Sequence, residues 1–354
     1  MINIEEIARF FNDNADFHDT VKQNESLKNH TTMHVGGKAK MFLEPSDAES
    51  LVLATRILIE EKIDFFILGG GSNVVISDSG LDAVISTRKM NRLKRIDKKN
   101  GFHSENYAES AMVERVETTC KSGRAFRHAQ CPYLDSSSIP LNPSESPVML
   151  QVDSGASWGS VISFCKKNNL GGFEGFTGLS GTVGGALFMN ATCFGLSACD
   201  NLVSVEYFDT RDFQIHTYEK NDSDWGYKVS PFQSGEKIIL SAVFRVTEGF
   251  DSQKSENCLA SRKEKGHFRS PSAGSAFKND AANGVIAGKV IDECGLKGFS
   301  VGGAQIAPWH GNFIINPNRK ATASDIKNLS DEVKKIVREK TGILLESEIL
   351  FIGF

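Results

Sequence analysis

The chain has 354 residues, 40% of them apolar, 24% charged and 9% aromatic, and its 40 Lys plus Arg against 44 Asp plus Glu leave a net charge of −4. That length exceeds twice a common domain of about 150 residues, so two or three packed domains are expected, and the composition excludes a disordered, collagenous or coiled-coil chain. The slightly acidic balance removes the broad basic field that non-specific nucleic-acid binding needs, so no nucleic-acid partner is expected.

No run approaches the ~18 uninterrupted apolar residues of a membrane helix, and Met1 to Glu6 lack a basic region followed by an apolar one. A cytoplasmic protein without a membrane partner is expected. The seven cysteines, at 120, 131, 165, 193, 199, 258 and 294, form no Cys-x-x-Cys pair and read as reduced residues. The sequence contains neither His-Glu-x-x-His nor Gly-x-x-x-x-Gly-Lys-Ser/Thr, so zinc hydrolysis and P-loop chemistry have no support and no metal is expected.

In chain order, Ile4, Ile7, Phe10 and Phe11 recur at helical spacing and predict a short amphipathic helix, with residues 1–28 as a helical arm. Short apolar runs broken by glycine then predict strands: the run from Met33 to Gly37, Phe65 to Leu68, Val74 to Ile76, and Leu81 to Ile85. Between them, residues 48–62 carry Leu51, Leu53, Ile57, Leu58 and Ile59 without glycine or proline, as a covering helix does. Residues 97–147 break this pattern and end in a Ser- and Pro-rich run, which predicts a partly mobile surface insertion. A strand from Val148, a helix over 158–168 and a meander to about Val246 follow. Near Ser252 the composition changes to a basic polar helix, so a domain boundary is placed at 250/251. The closing helix has Thr322 three residues before Asp325, a variant capping box, then Ile326, Leu329, Val333, Ile336 and Val337 on one face and Gly342 as its stop. The final run, 344–352, reads as a strand.

Two glycine-rich loops are candidate anion sites. Gly69, Gly70, Gly71, Ser72 and Asn73 follow an apolar strand, and consecutive glycines let backbone N–H groups turn toward one point, a nest suited to phosphate. Because β-branched Val74-Val75-Ile76 follows, this is not a Rossmann loop, and a plain tight turn is the bland alternative. Gly178, Ser180, Gly181, Thr182, Gly184 and Gly185 form the second loop, where close packing of strand on helix is the alternative, above all for Gly185.

Taken in order, these residues resemble the UDP-N-acetylenolpyruvoylglucosamine reductase (UDP-N-acetylmuramate dehydrogenase) family. The resemblance rests on Thr31-Thr-Met-His-Val-Gly-Gly, Leu68-Gly-Gly-Gly-Ser-Asn, Gly178-Leu-Ser-Gly-Thr-Val-Gly-Gly-Ala with Met189-Asn190, and Tyr227-Lys-Val-Ser. It continues through Ala273-Gly-Ser-Ala-Phe-Lys-Asn, Gly295-Leu-Lys-Gly, Val301-Gly-Gly-Ala-Gln, Asn312-Phe-Ile-Ile-Asn and Leu345-Glu-Ser-Glu. It implies an α+β architecture: a vanillyl-alcohol-oxidase/PCMH-type FAD-binding fold of two α/β subdomains, here residues 29–250, and a C-terminal α+β substrate-binding domain, here 251–354. It also implies noncovalent FAD, NADPH as reductant, and reduction of UDP-N-acetylglucosamine enolpyruvate to UDP-N-acetylmuramate for peptidoglycan.

An electron-rich enol ether accepts hydride only where developing negative charge is stabilised and a proton reaches the neighbouring carbon. The resemblance puts the proton donor at Ser275 and the charge-stabilising acid at Glu348. Strand alternation independently sets Glu348 on one face with Leu350 and Ile352, so partial burial is expected to raise its pKa and keep it a neutral hydrogen-bond donor. A third catalytic residue is Lys228, which stands where the family pattern Tyr-Arg-x-Ser has arginine, so a planar fork is replaced by a mobile point charge. Thr192 in place of glycine and Asp280 in place of proline are further departures. For the substrate, the resemblance implies Tyr227, Asn279, Lys297 and His310. Two alternatives accompany this reading: a catalytically weakened homologue that binds FAD or a UDP-sugar, motivated by Lys228, and an FAD oxidase of the same fold with another substrate.

Overall fold

The computed structural model describes residues 4–13, 17, 19–96 and 148–354; the surface insertion expected over 97–147 lies outside the described residues. The first layer is a four-stranded sheet in the order 20–26, 38–44, 81–86, 65–68, antiparallel in its first pair and parallel in the other two. Alternation along its central strands turns Met41, Leu43, Ala83 and Ile85 toward helices α1 (Ile4–Asp13) and α2 (Ala48–Glu60), and Phe42 and Val84 to the opposite face. Helix α2 starts where the Asp47 side chain accepts the Ser50 N–H, and it buries Leu51, Ala54 and Leu58 on one stripe. In α1, Ile7, Ala8 and Phe11 are buried while Phe10 is 51% exposed, so the apolar stripe is narrower than its spacing suggested.

The opening helix caps the first sheet, α1 joining the core with α2. Within the expected helical arm, Thr20–Ser26 is instead an edge strand whose polar sequence gave no alternation to read. The run from Met33 to Gly37 is a loop, and its Met33 and Val35 instead plug the C-terminal core.

The second layer is an antiparallel sheet in the order 214–219, 202–209, 237–248, 148–153, 93–96, with Leu170–Gly171 pairing the end of the long strand. One face packs on α3 (Trp158–Lys167) and α4 (Val183–Phe188) around a cluster of Trp158, Phe173, Phe176 and Phe244. From the other face Phe208, Ile238 and Leu240 join the α1/α2 core, so the two sheets share apolar interior.

Helix α5 (Ser252–Glu264) packs back on this second unit: Ser255 Oγ lies 2.8 Å from Thr177 Oγ1, and buried Arg262 donates from Nε to the Thr177 carbonyl at 2.9 Å. The composition change at Ser252 thus precedes the change of packing partner. After it, an antiparallel sheet in the order 272–275, 313–315, 304–306, 300–301 carries α6 (Ala287–Glu293) and α7 (Ala323–Thr341). The α7 capping box is present, Thr322 and Asp325 serving each other's backbone N–H, and Gly342 ends the helix at φ +76°. Asp78 also accepts the N–H groups of Ala323 and Ser324; burial opposes its charge, but these bonds prevail and hold its carboxyl below the usual range.

The terminal strand is shorter than expected. Only Leu350–Ile352 is a strand, paired in parallel with Val74–Ile76, while Ser347 bridges to Phe277. The end of the chain thereby returns to the first glycine loop.

Candidate active site

The two glycine loops meet. A Cβ on Gly70 would lie 2.4 Å from Gly181 Cα, one on Gly69 would lie 2.5 Å from Thr182 Oγ1, and Ser72 Oγ donates to the Ser180 carbonyl at 3.3 Å. Gly71 is required by its backbone: φ is +64°, and a Cβ would lie 2.0 Å from the His30 carbonyl oxygen. Arg88 Nη2 braces the Gly70 carbonyl at 2.7 Å. Among the described residues, the N–H groups of Gly70, Gly71, Ser72 and Asn73, and of Gly178, Ser180, Gly181 and Thr182, find no protein acceptor. Backbone donors left over in this way take water or a ligand, and two facing rows of them fit the phosphates of FAD. Gly184 and Gly185 do something else: their N–H groups go to the Ser154 carbonyl and to Thr182 Oγ1, and a Cβ on Gly184 would lie 2.8 Å from that of Ser154. They pack and cap α4.

Ser275 and Glu348 stand on adjoining segments. The Glu348 N–H donates to the carbonyl of Ala276 at 2.8 Å, and Lys278 N–H donates to Glu346 at 2.9 Å. Asn312 clamps the segment after Ser275, exchanging both amide bonds with Phe277 at 2.9 Å. The first glycine loop joins them: Asn73 Nδ2 donates to the Glu348 carbonyl at 3.0 Å, and Asn73's own carbonyl accepts Leu350 N–H at 3.0 Å. One Nδ2 hydrogen of Asn73 thus helps to place Glu348.

Lys228 comes from the second unit, and its Nζ lies 2.6 Å from Glu348 Oε1, with the two side chains only 9% and 12% exposed. Glu348 Oε1 thus accepts from a buried ammonium, a partner that its apolar strand neighbours gave no sign of. Lys228 has φ +59°, a left-handed conformation costing about 1–2 kcal/mol in a residue with a Cβ. Its turn is fastened to the end of α4: Asn190 Nδ2 donates to the Gly226 carbonyl and Ser230 Oγ to that of Phe188, both at 2.8 Å. Such strain, held by surrounding bonds, is characteristic of functional sites.

The other residues carried over from the resemblance divide. Tyr227 is half exposed, its ring centroid 5.6 Å from Lys228 Nζ and its hydroxyl accepting the Asn279 N–H at 3.4 Å. Asn279 Oδ1 accepts the Ala287 N–H at 3.0 Å, fixing the start of α6. His310 stacks on Phe313 with centroids 3.9 Å apart, and its Nδ1 accepts the Asn312 N–H at 3.2 Å, leaving Nε2–H as donor. Burial, then the charges of Lys265 and Lys297, push its pKa down. Lys297 pairs with Asp292 at 2.5 Å on the surface and joins the site only through this charge.

Residues that sequence reasoning missed are mostly side-chain amides and buried cations. Asn190 stood in the Met189-Asn190 pair, but nothing local showed that it holds Gly226. Arg262, 5% exposed, lies against Gly178 and Phe194 and donates to Cys193 Sγ at 3.0 Å. Beside it, His267 is pushed down to about 4 by burial, assisted by Arg262, His310 and Lys265. Arg262 thus sets a buried positive charge next to the second loop, and that charge helps to hold His267 neutral.

Comparison with known proteins agrees with this geometry. Residues 266–352 match the family described as UDP-N-acetylenolpyruvoylglucosamine reductase, C-terminal domain. The chain is 38% identical to the UDP-N-acetylenolpyruvoylglucosamine reductase of Treponema denticola over 349 residues, covering 94% of each chain. It is 34% identical to that of Borrelia garinii subsp. bavariensis over 337 residues, covering 94% and 93%. The crystal structure of the Thermus caldophilus UDP-N-acetylenolpyruvylglucosamine reductase superposes with a TM-score of 0.64 at 26% identity, covering 95% of this chain and 99% of that one. The fold class is accordingly α+β, with the FAD-binding fold the resemblance implied. The chain belongs to the UDP-N-acetylenolpyruvoylglucosamine reductase family.

Proposed function

We propose that this protein reduces UDP-N-acetylglucosamine enolpyruvate to UDP-N-acetylmuramate with NADPH, a step in making peptidoglycan precursor. The observation that carries the reading is the buried Lys228–Glu348 pair, set one residue from the Ser275 strand and tied by Asn73 to a loop of unused backbone donors. Noncovalent FAD, when bound, supplies the hydride relay between NADPH and the enol ether. Gly70, Gly71, Ser72 and Asn73 would hold it from one side and Gly178, Ser180, Gly181 and Thr182 from the other, through backbone N–H groups. Ser275 delivers the proton to the neighbouring carbon from its hydroxyl. Lys228 meets the substrate's carboxylate end, where negative charge develops and the ammonium supplies the stabilising field in a site shielded from water, and Glu348 holds that ammonium in place.

Tyr227, Asn279 and His310 line the approach for the UDP portion, His310 offering Nε2–H, and Lys297 adds its charge from the surface. The 29–250 part carries the cofactor and the 251–354 part the substrate, with α5 as the packing bridge between them. The partners are small molecules, with no nucleic acid and no membrane, and the location is the cytoplasm; among the described residues no helix is long and apolar enough to cross a membrane. A second reading, a cofactor- and UDP-sugar-binding homologue of weak turnover, is favoured by the single bond that Lys228 makes where an arginine makes two.

The test uses purified full-length protein without oxygen. Flavin absorbance is expected to bleach on adding NADPH and to return on adding UDP-N-acetylglucosamine enolpyruvate, with UDP-N-acetylmuramate identified by mass. Bleaching without return overturns the assigned substrate, and a large gain in return rate from Lys228→Arg supports the weakened homologue.

A further inference from the structure

We infer that Gln233 is a positioning residue for Lys228: its side-chain amide ties the Lys228 carbonyl to the end of α4 and so keeps the ammonium against Glu348. The inference rests on the reading that the Lys228–Glu348 pair meets the substrate. Gln233 Nε2 has two hydrogens, and both are used, one on the Phe188 carbonyl at 2.9 Å and one on the Lys228 carbonyl at 3.0 Å. Phe188 is the last residue of α4, so its carbonyl is one of those the helix itself leaves unbonded. The amide therefore joins a helix-end carbonyl, which also accepts from Ser230 Oγ at 2.8 Å, to the carbonyl of a residue held at an unfavourable φ of +59°.

The bond matters more here because the residue is lysine. A guanidinium can orient itself on a carboxylate through two parallel bonds, whereas an ammonium on four flexible carbons makes one contact and takes its position from the backbone that carries it. The Gly226–Val229 bridge closes the turn locally, and Asn190 and Ser230 fix its two flanks. Two bonds hold the peptide after Lys228: the Val229 N–H donates to the Gly226 carbonyl at 3.1 Å within the turn, and Gln233 ties the carbonyl side to α4 from outside it. If that peptide rotated out of the left-handed region, the side chain would leave Glu348, with the α4 anchor and both glycine loops unmoved. Gln233 touches neither Ser275 nor Glu348 and is a surface residue, so nothing in its exposure announces this role.

The experiment compares half-reactions in the holoenzyme. In Gln233→Ala, flavin reduction by NADPH is expected at the wild-type rate, while reoxidation by UDP-N-acetylglucosamine enolpyruvate slows about five- to tenfold, the size of a lost hydrogen bond. In a Lys228→Ala background, Gln233→Ala is expected to slow reoxidation no further, since its effect passes through the ammonium. Wild-type reoxidation in Gln233→Ala, or equal slowing in both backgrounds, overturns the inference. A second readout needs no turnover: lysine-selective nitrogen NMR of the full chain, with the Lys228 signal identified by its loss in Lys228→Ala. Glu348→Gln is expected to shift that signal, and Gln233→Ala to shift it in the same direction. An unmoved signal in Gln233→Ala, with wild-type reoxidation intact, sinks the positioning role alone. A shifted signal in a protein that never reoxidises with this substrate upholds the positioning role and sinks the proposed function.

Discussion

The two glycine loops look alike in sequence and are used differently. The 69–73 loop runs into a strand, and its last residue, Asn73, holds Glu348 through its amide and Leu350 through its carbonyl. The 178–185 loop runs into α4, whose far end holds the turn that carries Lys228. Each loop therefore leads to one partner of the ion pair, and the two loops touch at Gly70 and Gly181. A glycine-rich loop can, through the element that follows it, place side chains well beyond its own backbone.

Separating the loops is expected to have the largest effect. In Gly70→Val the new side chain starts 2.4 Å from Gly181 Cα, and overpacking of about 1–3 kcal/mol translates into up to ~100-fold weaker flavin retention, read from the absorbance ratio of purified protein. Flavin content equal to wild type would show that the contact between loops is not what makes the cradle. Next comes Lys228→Ala, which strands a buried carboxylate; reoxidation by the enolpyruvyl substrate is expected to fall on the order of 10²-fold with flavin reduction by NADPH unchanged. Equal loss in both half-reactions would place Lys228 with the cofactor instead.

Asn73→Ala tests the other arm. Removing its bond to the Glu348 carbonyl is expected to cost about 1 kcal/mol of stability and to slow reoxidation about fivefold, with most flavin retained. Loss of flavin without a change in reoxidation per bound flavin would assign Asn73 to the cofactor alone.

Acid distinguishes the surroundings of the second loop. His267 titrates near 6.5 in the unfolded chain and is held down to about 4 in the fold, so between these values the unfolded state binds more protons. Stability is full above about pH 6.5 and declines as pH falls toward 4, by roughly 1–2 kcal/mol after allowance for solvent screening. His267→Gln is expected to flatten that part of a melting-temperature profile, and an unchanged slope would remove His267 from the account. The smallest effect is expected far from both loops: Thr322→Ala, which breaks the capping box of α7, lowers stability by about 1 kcal/mol and leaves both half-reactions at their wild-type rates.

What the sequence made legible was local. Helix α7, with its cap, stripe and stop within twenty-one residues, needed no information from elsewhere. The glycine loops were readable as places of close backbone approach because glycine at successive positions leaves room that no other residue does. The polar strand Thr20–Ser26 was not readable, since an edge strand with one face in water and few large apolar residues leaves no period. The terminal strand was overextended because alternation persists through 344–349, where Leu345 and Ile349 are buried although only an isolated bridge at Ser347 pairs the segment. The Lys228–Glu348 pair joins positions far apart in the chain, and the amides of Asn73, Asn190 and Gln233 act on backbone carbonyls, which have no sequence signature at all.

The claim at the centre is that Ser275, next to this pair, delivers the proton that completes reduction of the enol ether. It is tested most directly by rapid-mixing absorbance of Ser275→Ala, first with NADPH and then with UDP-N-acetylglucosamine enolpyruvate, in the absence of oxygen. The account predicts bleaching at the wild-type rate and almost no recovery of colour. Recovery at the wild-type rate with UDP-N-acetylmuramate as product would contradict it.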